Sequence, residues 1–250
     1  MFRMLKLNPP HGWRAVVWEL AIVTLGVLIA LAAQQWAEAR SWKAKADYST
    51  SAIRRELADH YYWSVEWRVV NPCLIAQIDR LKQRVLSSGP RLEPAPTFSE
   101  RDFSEYVIRL PSKDYVDTAW QSAIADGVGA HLNPTLREEL SAHYVQAQSL
   151  VPLTARNADD YQGLFSLSQP LPLDPMVRFT LLRTLDELRG RFSFIDLQSG
   201  QLIEHIAKVG MIPSAVAAKA EVERYGTYKF CRSQRLPLRS FLDAMKPVAN

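Results

Sequence analysis

Cysteine is almost missing from this chain, with Cys73 and Cys231 the only two in 250 residues. Two thiols so far apart exclude a zinc cage, which needs closely paired thiolates or imidazoles. Glycine is scarce too, at 10 residues, and no regular succession of short strands and turns occurs, which argues against an all-β fold. The chain has no G-x-S-x-G elbow, no glycine-rich phosphate loop and no H-E-x-x-H pair. The usual sequence marks of serine hydrolases, nucleotide-binding enzymes and zinc peptidases are therefore absent. Basic residues outnumber acidic ones by only 30 to 26 and are interleaved with them. A nucleic-acid binder gathers its Lys and Arg on one face or in a tract, so nucleic acid is not an expected partner. Neither a metal nor a cofactor is expected.

One long apolar run is present. From Ala15 to Ala33 the single charged residue is Glu19, and the run would reach about 28 Å as a helix, close to the ~30 Å hydrocarbon core of a bilayer. Trp13 and Trp18 precede it, and Trp36 and Trp42 follow it. Trp18 and Trp36 would stand about 27 Å apart, the separation of two interfacial aromatic belts. Residues 15–36 are thus read as a transmembrane helix with the lipid bilayer as its partner. A cleavable signal peptide is the rival reading, with basic residues ahead of the run and A-x-A triplets at 30–32 and 37–39. Its apolar region is too long for that, and a glutamate interrupts its start.

Positive charges flank the run almost equally, with Arg3, Lys6 and Arg14 before it and Arg40, Lys43 and Lys45 after it. The two cysteines decide the orientation, because they could pair in an oxidising compartment. The expectation is a cytoplasmic tail over 1–14 and an extracytoplasmic domain over 37–250. A Cys73–Cys231 bond would tie the C-terminal region back to the membrane-proximal helices; two buried free thiols are the alternative.

Within the membrane helix, Glu19, Val23, Gly26, Ala30 and Ala33 share one face, opposite the bulkier Leu25, Leu28 and Leu31. Small residues at this spacing let a second helix approach closely, and a carboxylate in a membrane segment usually faces protein or water. The stripe is a candidate contact with a protein partner or a second copy. Equally, Glu19 lies close enough to the membrane surface to snorkel there. A proton-coupled role is a third reading.

Beyond the membrane the punctuation is helical. Residues 37–70 lack Gly and Pro. Asn71-Pro72, Asn133-Pro134 and Asp174-Pro175 each read as an N-cap followed by proline at the first helical position. A helix is expected from Pro72 to about Leu86, another block from about Asp114, and another from Pro134 up to Pro152. A further helix is expected from Pro175, and a final one from Pro213 to Gly226. The proline-rich 88–98 reads as a loop, SEYVIRLP (104–111) as a short element, and DGVGAH (126–131) as a helix end and turn. The fold class is all-α. The cluster HYYWSVEW places Tyr61, Tyr62, Trp63 and Trp67 together, either in the core or at an interface.

Candidate chemistry is thin. Glu139 and His143 stand at i, i+4, as do Glu56 and His60, a spacing that can share a metal. His143 also flanks the apolar stripe of its helix, as a satisfied semi-buried histidine does. Asp159-Asp160 and Asp186-Glu187 are adjacent and diverge on a helix, so neither makes an acid/base pair alone.

Two stretches carry a resemblance together. WELAIVTLGVLIALAAQQW, followed by DTAWQSAIADGVGAHLNPTLREELSAHY (117–144), resembles a family of bacterial single-pass membrane proteins of unassigned function. In that family a helix of the type E-I-x-x-V-x-x-G-V-L-I-A-L precedes a T-x-W…G…L-R-x-x-L-S-x-Y-Y-like helical block. Glu19, Gly26, Thr118, Trp120, Gly127, Leu136, Arg137, Leu140, Ser141 and Tyr144 occupy the matching positions, and His143 stands where the family often has an aromatic. The blocks cover about a fifth of the chain. The resemblance implies an anchored envelope protein of unknown function and supplies no substrate and no catalytic residue; with the orientation argued from the cysteines, the expected location is the bacterial inner membrane with the bulk of the chain in the periplasm.

Function is expected to be non-enzymatic: an accessory or scaffold subunit of an inner-membrane or envelope complex. A periplasmic sensing or ligand-binding module is the alternative and requires an apolar pocket between helices. A membrane-anchored hydrolase or metal enzyme would require His143, Glu139 and another ligand to converge.

Overall fold

The computed structural model of the protein describes residues 12–100 and 104–247; most of the expected 1–14 tail lies outside them. The architecture is all-α, with a single two-stranded hairpin among the described residues. Helix α1 (Gly12–Ser87) runs 76 residues without a break, about 114 Å at the α-helical rise. Its lower part stands clear of the rest of the chain. Every large apolar side chain from Val16 to Leu31 is exposed, and the apolar window meets the length and hydropathy of a membrane span. From Ile53 upward the same helix is the core of the domain, with Leu57, Val65, Val69, Leu74, Ile78 and Val85 fully buried.

The other elements are laid along this mast. After α1, residues 88–97 lead into the antiparallel hairpin β1 (Phe98–Glu100) and β2 (Ser104–Tyr106). Residues 107–117 then descend without regular structure to α2 (Thr118–Ala125) and a 3-10 turn at Val128–His131. Gly127 joins the two at φ 73°, a left-handed conformation that favours glycine. Helix α3 (Pro134–Leu164) rises beside α1: His131 meets Trp42 at its foot, and His143 meets His60 higher up. Helix α4 (Pro175–Lys208) descends: Arg178 reaches Val85, whereas Phe192 packs on Trp67. Short helices α5 (Ala215–Val222) and α6 (Gly226–Ser233) climb the remaining side of α1, and α7 (Phe241–Ala244) turns back down to the level of Arg68 and Val69.

Two cap-and-proline signals hold. Asn133 accepts from the N–H groups of Thr135 and Leu136, and Asp174 from those of Met176 and Val177, satisfying donors that a helix start leaves free.

Three expectations are corrected. Asn71-Pro72 starts no helix, because α1 passes through Pro72. Asn71 donates to the Phe192 carbonyl instead of capping, and the nearby Val69 carbonyl accepts from the Arg239 N–H. Burial on both sides of this turn outweighs the ~3 kcal/mol that an interior proline costs. Likewise α3 continues past Pro152 to Leu164. The Thr154 hydroxyl bonds the Leu150 and Val151 carbonyls in that turn. Gly226 opens α6 rather than closing a final helix, and α5 already ends at Val222. The block expected from Asp114 begins at Thr118, and 104–111 contributes strand only over β2.

Cys73 and Cys231 form a disulfide across 158 residues, with Cα atoms 6.0 Å apart. It fixes α6 to α1. By the chain-entropy model such a crosslink is worth about 5 kcal/mol before any strain. Replacing both cysteines by serine is expected to lower unfolding stability by about 3–5 kcal/mol, read from the urea midpoint in mild detergent. An unchanged midpoint would show that the crosslink adds nothing.

Candidate functional site

Glu19, Val23, Gly26, Ala30 and Ala33 lie on one face of the exposed lower part of α1. Nothing approaches within 4 Å of the place where a Cβ on Gly26 would stand. The stripe is open to lipid or to another helix, and no described residue of the domain covers it.

The densest polar cluster lies inside the domain. The descending segment 107–117 has no neighbouring strand, yet buried backbone groups must find partners. Side chains of α1 supply them in a ladder. Gln77 pairs with the Arg109 backbone on both sides: its Oε1 accepts from Arg109 N at 2.7 Å, and its Nε2 donates to Arg109 O at 3.3 Å. Ser64 meets the Tyr115 hydroxyl at 3.2 Å, and His60 Nε2 meets the Val116 carbonyl at 2.8 Å. At the foot of the ladder, Glu56 accepts from the Ala119 N–H at 2.9 Å and from the Tyr144 hydroxyl at 2.7 Å. Asp117, at the N-cap of α2, makes no side-chain cap. Glu56 therefore caps α2 from another helix.

His60 also meets His143 Nε2 through its Nδ1, at 2.9 Å. Burial pushes His60 down to about 4, against smaller opposing effects of the Val116 carbonyl and Asp117. Burial also holds His143 well below the usual histidine range, reinforced by His60 and His205 and opposed by the Leu202 backbone. Both rings are therefore neutral near pH 7, and the tautomers follow. Because Val116 O only accepts, His60 carries its proton on Nε2 and accepts at Nδ1 from His143 Nε2–H. His143 Nδ1 is buried. This pair of imidazoles holds the strap through the Val116 carbonyl.

The metal readings are not supported. Glu139 pairs with His205 at 3.0 Å, whereas His143 faces His60. Glu56 is occupied by Ala119 and Tyr144. Among the described residues no group of three His, Cys, Asp or Glu could hold a metal ion. The aromatic cluster belongs mainly to the core. Tyr61 and Trp67 are buried, and Tyr62 and Trp63 are partly buried, so the four do not form an exposed interface.

A second buried acid escaped notice in the sequence. Glu66 is 2% exposed, and burial raises it to about 7, against the lowering effect of Lys113 and Arg109. Its signal was weak, a lone glutamate inside an aromatic run. A groove of about 660 Å³ lies between the upper turns of α1, the hairpin and α6. Leu81, Phe98, Val107 and Phe230 give it an apolar floor, and Arg80 and Arg84 lie among its lining residues.

No family model, curated protein or solved structure matches the chain. The structure nevertheless gives physical roles to several positions in 117–144. Trp120 stacks on Tyr144 with ring centroids 5.5 Å apart, Leu140 is buried, and Gly127 makes the left-handed turn.

Glu66 and His60 act on stability with opposite signs. A glutamate raised in the folded state favours folding as pH falls from about 7 to its unfolded value near 4.5. A histidine lowered to about 4 opposes folding as pH falls from 6.5. Their slopes cancel between about pH 4.5 and 6.5. Glu66→Gln is therefore expected to be more stable than wild type at pH 8, by about 2–3 kcal/mol. The advantage should disappear near pH 4.5. Urea unfolding at pH 8, 6 and 4.5 checks this; a difference independent of pH would refute it.

Proposed function

We propose that this protein is a non-enzymatic, membrane-anchored helical scaffold, an accessory subunit that holds its folded domain at the bilayer surface. The observation that carries this reading is the unbroken α1, a lipid-exposed apolar helix that becomes the core helix of the domain. A helix without a hinge transmits position and rotation between membrane and domain, as suits a protein that places other components. The disulfide supports an oxidising compartment for the domain, and hence an N-terminus on the cytoplasmic side of a bacterial inner membrane. Supporting the partner role is the open stripe at Glu19, Val23, Gly26, Ala30 and Ala33, where close helix approach meets no side chain of this chain.

A second reading, a periplasmic ligand-binding module, is favoured by the groove of about 660 Å³ with its apolar floor, a size typical of small-molecule sites. The two readings separate on where binding is lost.

Gly26→Leu is expected to deplete the protein's membrane companion, or its own dimer, by about tenfold in mild-detergent isolates from native membranes. Soluble-domain unfolding should be unaltered. Unchanged co-isolation would overturn the stripe as the contact. Protease protection of the C-terminus in spheroplasts tests the orientation: cleavage is expected only when the outer face is accessible.

A further inference from the structure

Along the upper part of α1, Gln77, Arg80, Leu81, Arg84 and Ser87 recur at three- and four-residue steps and so share one face. That face forms one wall of the groove of about 660 Å³, and its reach from Gln77 to Ser87 is about 15 Å along the helix. The other wall is aromatic. Phe98 of β1 meets Phe230 of α6 edge-on, with ring centroids 4.9 Å apart, and the buried Tyr106 of β2 lies 6.1 Å from each. Buried Leu81, Val107 and Leu236 line the space between. Cys231, next in sequence to Phe230, is bonded to Cys73, one turn below Gln77, so the disulfide fixes one wall to the other.

The groove is lined by four charged side chains, Asp79, Arg80, Arg84 and Glu93. Three of them are engaged. Asp79 pairs with Arg189 of α4 at 2.5 Å. Arg84 donates to the Glu93 and Pro94 carbonyls, at 3.5 and 3.1 Å, which sets its charge beside Glu93 at the loop end of the groove. Arg80 is exposed, and its guanidinium has neither an ion pair nor a hydrogen bond with any described residue. The groove therefore carries one surplus positive charge beside an apolar floor.

These two features select a ligand together. A guanidinium presents a planar fork of donors that matches a carboxylate bidentately. An exposed charge pair alone is worth little, so affinity has to come from apolar surface removed from water along the floor. A ligand with one negative charge and a long apolar chain meets both conditions. A dianion would set its second charge against Glu93. A cation would face Arg80 and find both acids beside other guanidinium groups.

Resting on the ligand-binding reading above, we propose that this groove binds a linear apolar monocarboxylate of the fatty-acid class. The carboxylate takes the Arg80 fork, and the chain lies along Leu81, Val107, Phe98 and Phe230. Gln77 stands about 66 Å along α1 from Ala33, the end of the apolar run, so the acid held here is one that has left the bilayer.

The test uses the full chain in phosphatidylcholine nanodiscs at pH 8, with dodecanoate and dodecanol probes that each bear a diazirine near the methyl end. After irradiation, peptide mass spectrometry reads labelling around Leu81, Phe98 and Phe230 as a ratio to labelling of the apolar part of α1, which any bilayer-dissolved probe reaches. Both probes are expected to label the groove, and excess unlabelled dodecanoate to displace them. Arg80→Gln should lower the ratio about fivefold for the acid, the upper worth of an exposed charge pair, and leave the alcohol's unchanged. Arg80 is exposed and unpaired, so folding, checked by circular dichroism, is retained. An acid ratio unmoved by Arg80→Gln, or lowered equally for both probes, overturns the carboxylate assignment and leaves the groove standing as a ligand site. Groove labelling that is absent, or that unlabelled acid does not displace, overturns the ligand-binding reading and this assignment together.

Discussion

The structure depends on the continuity of α1. An isolated membrane helix is held by lipid, and an isolated core helix by the side chains around it. Here one hydrogen-bonded rod answers to both. Between Ala33 and Ile53 nothing interrupts it: no glycine or proline occurs from 37 to 71, and Trp42 and Ala46 already touch the domain. The segment connecting the exposed apolar part of α1 to the domain is therefore continuous helix. That continuity fixes which side of the apolar segment the domain overhangs, and it leaves the small-residue face clear.

The buried polar side chains follow from the strap at 107–117. An extended chain pressed against a helix has no ladder of its own, and each unmet amide would cost about 1–3 kcal/mol. Gln77, His60 and Glu56 stand in for the missing strand, and Ser64 holds the Tyr115 hydroxyl. Burial keeps the histidines neutral, since a buried charge would outweigh the bonds it makes. The same residue types that resemble a catalytic or metal constellation in the sequence are here backbone surrogates. Their geometry identifies them: each faces a main-chain group or a neighbour in the ladder.

The sequence made the long apolar helical segment, the all-α class, two capped helix starts and the cysteine pairing legible. Each depends on local chemistry: apolar length, Asn or Asp ahead of proline, and a scarcity of thiols. What it hid depends on distant contacts. Pro72 and Pro152 read as boundaries from local sequence, yet both lie inside helices, and the turn at Pro72 is held by groups that only the fold brings near, Arg239 and Phe192. The cap of α2 was invisible because Glu56 lies 63 residues from Ala119. The groove could not be read either, since α6 reaches it through a disulfide to the far part of α1.

That C-terminal return has a mechanical sense. Pro72 removes one main-chain bond from the mast at the level where α4 also packs, and such a site would otherwise kink. Four contacts converge within Arg68–Cys73. Arg239 N bonds the Val69 carbonyl, Arg68 reaches the Lys246 carbonyl, Asn71 bonds Phe192, and Cys73 is joined to Cys231. Arg239 is itself held by both oxygens of Asp196 on α4, at 2.7 and 2.8 Å. The last elements of the chain therefore act as a splint across the proline, bound to α1 on one side and to α4 on the other. A splint at this height holds α1 to α4 where the interior proline leaves a main-chain acceptor without its helical donor, and α1 passes through Pro72 as one helix.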